Sequence, residues 1–364
     1  MVLTGLRGVG KTVLLDTFKP LAIKEKWLWA GTDLSESVSI SEEALAQRLM
    51  TDLSVVTSNI VIGTVERTAI GFTPKTEYRH QKLSYETLLN IYKTIPGLTA
   101  DKLKGLLEFV WASIKPQGVQ GVIFAYDEAQ TMADHAEKDQ YPLALLLDVF
   151  QSIQKKDIPF MLVLTGLPTL FPKLVESRTF SERMFRVVFL KRLTERESKE
   201  AIRKPIEDAR CSIRFNDTSI EVIVRESGGY PYFIQFICKE VYDAFLQKLH
   251  LGDTPNVPIN EITRKLDKDF FAGRWARATD RQRQLLSVIA TLENCDEEFT
   301  VQEVVEKAKT LLQQAFGSSH ANQMLSSLIN MGLIYKNRHG KYSFAVPLLG
   351  KFILRQSRES EFDS

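Results

Sequence analysis

Residues 5 to 12 read Gly-Leu-Arg-Gly-Val-Gly-Lys-Thr, directly after the apolar pair Val2-Leu3 and before the helical run Val13-Leu14-Leu15. The spacing Gly-x-x-x-x-Gly-Lys-Thr between a strand and a helix is that of a phosphate-binding loop. Glycines permit backbone angles closed to other residues, so the N–H groups of Gly5, Leu6, Arg7, Gly8, Val9 and Gly10 can turn inward around phosphate oxygens. The following helix, starting with Lys11, Thr12 and Val13, presents its positive end to them. Lys11 would reach the β- and γ-phosphates and Thr12 would ligate Mg²⁺. The plainer alternative is a glycine-rich turn with no ligand.

A second constellation closes the apolar run Val119 to Tyr126, which ends in Asp127-Glu128-Ala129-Gln130. Continuous apolar character marks a strand buried on both faces. The run has the form of a Walker B strand, in which Asp127 holds Mg²⁺ through water and Glu128 acts as the base that orients and polarises an attacking water. A strand followed by an unremarkable polar loop is the competing reading. A further strand, Phe160 to Leu164, stops at Thr165-Gly166-Leu167-Pro168. Strand ends carry the site in open α/β folds. Thr165 there either feels the γ-phosphate and positions water, or satisfies a loop backbone group.

The elements that must position these residues follow from pattern. Trp27 to Ala30 reads as a strand, Glu42 to Met50 as a helix, Tyr85 to Tyr92 and Leu103 to Ile114 as helices, Ala144 to Lys155 as a helix and Val187 to Leu190 as a short strand. Val55 to Ile70, rich in Val, Ile and Thr, fits either a strand or an apolar helix. The pattern predicts an α/β parallel sheet with helices on both faces over residues 1–190. The glycine loop begins almost at Met1, without the lead-in segment that would cover a purine. Either the chain starts late or adenine is held elsewhere.

After Lys191 the alternation stops. Thr194 with Glu197 forms a capping box, opening a mainly helical segment over 191–272 in which Ser227-Gly228-Gly229-Tyr230-Pro231 ends one helix and starts the next. Residues 273–356 show helices at 281–292, 301–309 and 322–331. Two strands then flank Asn337-Arg338-His339-Gly340, the pattern of a winged helix. Residues 357–364 are expected to be a flexible tail. Residues 318–355 hold no Asp or Glu, but include Lys336, Arg338, Lys341, Lys351 and Arg355. The helix before the hairpin offers Asn322, Gln323 and Asn330 and no Arg or Lys to base edges. DNA contact through Lys336, Arg338 and Lys341 would therefore be to phosphates, and a solvated packing hairpin is the alternative. Residues 264–283 add seven basic side chains against three acids, either a charged linker helix or a phosphate or subunit contact.

Composition bounds the partners. With 364 residues and 44% hydrophobic content the chain can pack two or three domains, and a net charge of +2 gives no whole-molecule field toward nucleic acid or anionic lipid. Three widely spaced cysteines disfavour a disulfide framework and a zinc site and fit a reducing, cytoplasmic setting; no apolar run would span a bilayer.

Taken together, the glycine loop, the Asp127-Glu128-Ala129-Gln130 strand, the Thr165 strand, Arg178 and Arg183 before Met184-Phe185, the helical segment with Gly229-Tyr230-Pro231 and the C-terminal pattern resemble AAA+ ATPases. Origin-recognition-type initiators and bacterial or phage helper ATPases are the nearest in pattern. The resemblance implies ATP and Mg²⁺ as ligands, Pro231 at the nucleotide, a homo-oligomer, and a further protein or DNA partner. It also implies a finger arginine given to the neighbouring subunit by Arg183 or, as a second choice, Arg178, although each could equally make a surface ion pair. One departure stands out: the position after Pro231, an arginine in many AAA+ lids, is Tyr232. That favours slow turnover. It also admits the related STAND signalling ATPases, which use nucleotide as a latch and need no DNA.

Overall fold

A computed structural model describes the chain except residues 69–75, 212, 252–256, 339 and 363–364. It divides into two compact units, one of Met1–Thr4 with Lys11–Phe189 and one of Gly5–Gly10 with Leu190–Ser364.

In the first unit, β1 (Val2–Gly5) leads through the glycine loop to α1 (Lys11–Lys24), β2 (Trp27–Ala30) and α2 (Glu42–Thr57). An antiparallel pair follows, β3 (Val61–Thr68) with β4 (Thr76–Lys82), then α3 (Tyr85–Thr94), α4 (Thr99–Ile114), β5 (Gly121–Tyr126), α5 (Pro142–Lys155), β6 (Phe160–Gly166), α6 (Leu170–Ser177), α7 (Ser181–Met184) and β7 (Val187–Leu190). The main sheet runs β2-β5-β6-β1-β7, and β2–β5, β5–β6 and β6–β1 pair in parallel. Alternate residues feed opposite faces, as the period of a strand requires. Val2, Val122, Phe124, Tyr126, Leu162 and Leu164 join one core with α2 to α5, whereas Leu3, Ile123, Ala125, Met161 and Val163 join another with Leu14, Leu15 and Phe18 of α1. The result is a parallel five-stranded sheet covered by helices on both faces, as the sequence predicts. The open reading at Val55 to Ile70 resolves in both directions: α2 runs on to Thr57 and β3 follows from Val61, while the last two residues of that stretch lie outside the described residues. Ser41 caps α2 at Ala44 N and Ser84 caps α3 at Thr87 N, supplying acceptors for orphan helix donors.

The second unit is mainly helical. It holds α8 (Glu195–Asp208), α9 (Asp217–Ser227), α10 (Pro231–Leu251) and α11 (Ile259–Leu266), then a π-helical turn at Asp267–Ala272 continuing into α12 (Gly273–Trp275). The expected capping box at Thr194 and Glu197 is formed. Helices α13 (Asp280–Ala290), α14 (Val301–Leu311) and α15 (Ser318–Asn330) precede the antiparallel hairpin β8 (Ile334–Arg338) and β9 (Lys341–Phe344), and α16 (Leu349–Phe362) ends the chain. The tail expected to be flexible from residue 357 is thus helical to Phe362. Phe352 and Ile353 bury α16 in the same core as Phe299, Leu325 and Val346. Phe233, Leu266 and Phe271 belong to that core too, so residues expected to fall in separate helical and winged-helix domains share one interior.

Candidate functional site

Parallel pairing of β5, β6 and β1 lays the carboxyl ends of three adjacent strands along one edge of the sheet, where ligands bind in open α/β folds. Asp127 follows β5, Thr165 is near the end of β6, and Lys11 and Thr12 open the helix that follows β1. Their side chains meet. Thr12 Oγ1 donates to Asp127 Oδ2, Thr165 Oγ1 donates to Asp127 Oδ1, and the Glu128 amide donates to Asp127 Oδ1 at 2.8 Å. Asp127 is 5% exposed, Thr165 0% and Lys11 8%. Burial alone would raise the Asp127 carboxyl. The three donated hydrogen bonds, with the Lys11 charge, outweigh it and hold the group below the ordinary carboxylate range. Asp127 is therefore a charged carboxylate set between two hydroxyls.

Glu128 is placed differently. Its side chain is exposed, and its backbone lies in the left-handed region at φ 51, ψ 31, an unfavourable conformation for a residue with a Cβ. The turn there is pinned from several sides. Asp127 O accepts from Leu34 N at 2.9 Å, Thr131 Oγ1 donates to Glu128 O at 2.9 Å, and Gln130 Nε2 donates to Glu128 Oε2. Gln130 drew no role from the sequence. Its only signal there is its place at the end of the Asp-Glu-Ala-Gln run.

Within the second unit, Gly8 and Gly10 take φ of 78 and 91, the positive angles that a loop of inward-facing N–H groups requires. Tyr232 N donates to Gly8 O at 3.0 Å, and a Cβ added to Gly8 would lie 2.9 Å from Tyr232 Cβ. Pro231 stands close as well, its Cγ 3.9 Å from where a Gly10 Cβ would be. Arg7 is exposed and Val9 buried. Arg274, stacked 4.3 Å over Phe270, is pushed below the usual guanidinium range by burial and by the like charges of Arg7 and Arg277. In the first unit Val13 is 61% exposed.

The two finger candidates separate. Arg178 is spent inside its own unit, its Nε 2.9 Å from Asp148 Oδ1 and its Nη2 2.8 Å from Asp148 Oδ2. This bidentate pair is the surface ion pair that the sequence left open for Arg178. Arg183, on α7, is exposed and has no ion pair among the described residues.

The basic segment is also largely spent. Lys265 bridges both oxygens of Glu240 at 2.8 Å, Arg281 lies 4.7 Å over Phe316, and Arg283 lies 5.7 Å over Trp275 and pairs with Asp280 at 3.3 Å. Arg355 is bound to Asp267 through both oxygens. On the hairpin Lys336 is exposed and Lys341 half-buried, while the side chain of Arg338 and residue 339 lie outside the described residues. The solvent face of α15 carries Asn322, Gln323, Ser326 and Asn330, all uncharged. No helix among the described residues is long and apolar enough to cross a membrane.

Comparison with known proteins adds the following. A family model described as a domain of unknown function, DUF8462, matches residues 268–353. No curated protein matches the chain. Among solved structures, a Walker-type ATPase of Pyrococcus abyssi is similar over 97% of this chain and 90% of its own, at 17% identity and a TM-score of 0.58. The Aeropyrum pernix ORC2 protein, solved as ADPNP–ADP complexes, is similar over 99% of this chain and 88% of its own, at 12% identity and a TM-score of 0.52. The chain therefore shares its fold, a parallel sheet with a glycine loop followed by a mainly helical C-terminal region, with this Walker-type ATPase and this ORC2 protein.

Proposed function

We propose that this protein binds ATP with Mg²⁺ and hydrolyses it slowly, using the nucleotide as an oligomerisation or conformational switch that acts on DNA or on a partner loaded there. The observation that carries this reading is the meeting of Thr12, Thr165 and Lys11 on Asp127 at the carboxyl edge of the sheet. A hydroxyl and a charged carboxylate side by side are hard oxygen donors suited to Mg²⁺, which takes only one or two protein oxygens when phosphates supply the rest. Thr12 and Asp127 would hold that ion, which when bound neutralises charge on the β- and γ-phosphates.

The remaining roles belong to the chain itself. The loop N–H groups and Lys11 bind the phosphates. Thr165 orients Asp127 and stands beside the γ-phosphate. Glu128 accepts the proton as water forms its bond to the γ-phosphorus and the bond to the β,γ-bridging oxygen breaks. Arg183 is the cation offered to an adjacent subunit. The ADPNP–ADP complexes of the similar ORC2 protein support adenine nucleotide as the ligand.

Equilibrium titration with ATP plus Mg²⁺ tests the reading, and Glu128→Gln should bind ATP but turn it over only at a low residual rate, accumulating oligomer by size-exclusion chromatography. An absence of nucleotide binding would remove the proposal.

A second reading, a STAND-like signalling latch in which three helices and a winged hairpin serve only packing, is favoured by Tyr232. It replaces a lid cation and holds Gly8 O through its amide. The two readings differ in salt response. The first requires ATP-dependent DNA binding that weakens steeply with salt, losing about 0.9 in log–log slope for each phosphate contact removed, so Lys336→Ala with Lys341→Ala should flatten it by about 2. No binding at low salt leaves the latch.

A further inference from the structure

Gln130 makes contacts at both ends of its amide and at its backbone. Nε2 donates to Glu128 Oε2, Oε1 accepts from Leu167 N at 3.1 Å, and the Gln130 carbonyl accepts from Lys173 Nζ at 2.8 Å. The amide orientation is not arbitrary. Leu167 N can only donate, so it must face Oε1, which leaves the two N–H donors of Nε2 for a carboxylate that, when ionised, can only accept.

The carboxyl end of β6 and the residue after it thus reach both members of the acidic pair, one directly and one through Gln130. Thr165 donates directly to Asp127, and Leu167, two residues on, reaches Glu128 through Gln130. Gly166 between them is fitted to this arrangement: a Cβ there would lie 2.5 Å from Gln130 Oε1 and 2.9 Å from Leu170 Cδ2. Glu128 otherwise projects from an exposed turn in a left-handed backbone conformation, and an exposed glutamate has several rotamers of similar energy.

The geometry points to Gln130 as the positioning residue for Glu128, fixing one carboxylate oxygen so that the other faces the attacking water, and linking that orientation to the position of the Thr165–Leu167 segment at the end of β6. This inference rests on the ATPase reading, and on Glu128 as its base. A base must sit within hydrogen-bond reach of the proton it takes, and small misplacements are expensive in rate.

The test is steady-state turnover of ATP with Mg²⁺ by the full chain. Gln130→Met keeps the side-chain length but removes both amide contacts. It should lower kcat by about 10- to 100-fold while KM and the affinity for ADP stay within about twofold. Combined with Glu128→Gln it should add no further loss, because the two residues act as one unit. Gly166→Ala, which presses on the amide from the β6 side, should lower kcat in the same direction with a smaller effect, with circular dichroism showing that both variants fold.

Turnover within twofold of wild type for Gln130→Met, or a loss that adds in full to that of Glu128→Gln, overturns the role of Gln130 alone. If Glu128→Gln itself turns over ATP normally, the assignment of Glu128 fails and this inference with it.

Discussion

Two charged regions of this molecule were conspicuous in the sequence, and the fold treats them in opposite ways. At the carboxyl edge of the sheet, Lys11, Thr12, Asp127 and Thr165 come from three separate stretches and converge on one buried carboxylate. Along residues 264–283 the basic side chains disperse, Lys265, Arg274, Arg281 and Arg283 each taken up by a nearby carboxylate, carbonyl or aromatic ring. A charge that is desolvated must be matched by designed partners, so its neighbours are informative. An exposed charge can settle on whatever is close, and its neighbours say little about ligands.

The sharpest way to break the contrast is at Lys11. If the convergent region is a phosphate site, Lys11→Ala removes a charge-assisted hydrogen bond worth about 1.5–3 kcal/mol and should weaken ATP binding about 10- to 100-fold by calorimetry. The same substitution at Lys265 should leave ATP binding unchanged.

Asp127→Ala comes next. It leaves the Thr12 and Thr165 hydroxyls without their acceptor, and should cost about 1–3 kcal/mol in chemical denaturation. The pH dependence has a defined sign. Since folding lowers the Asp127 value, its contribution is complete above the unfolded value of about 3.9 and drains away as pH falls through the lower folded one. Melts of wild type and Asp127→Ala between neutral and acid pH should therefore converge at the acid end.

The smallest effect is expected in the dispersed region. Arg281→Ala removes a cation–aromatic contact with Phe316 and a hydrogen bond to Gln284, and should cost about 0.5–1 kcal/mol in the same denaturation assay without changing nucleotide affinity. A larger loss of nucleotide affinity than at Lys11 would reverse the comparison.

Much of residues 1–190 was legible because the signals there are local. A glycine loop between an apolar strand and a helix, apolar runs ending in Asp-Glu or Thr, and Ser or Thr caps at helix starts need no distant partner to be read. Boundaries were less legible. Helix α2 extends past Met50 because Leu53 and Thr57 are buried, a consequence of packing. The expected tail became helix for the same reason, since Phe352 and Ile353 anchor α16.

The amino-acid order by itself determined which residues could cradle phosphate and which carboxylates could serve it, because those capacities lie in side-chain type and short spacing. Only the tertiary structure decided partnerships. That Arg178 is consumed by Asp148, that Tyr232 takes Gly8 O, and that Gln130 stands between Glu128 and Leu167 depends on hydrogen bonds that reach only about 3 Å. Chain separation says nothing about such distances; the register of parallel strands and the close packing beneath them do.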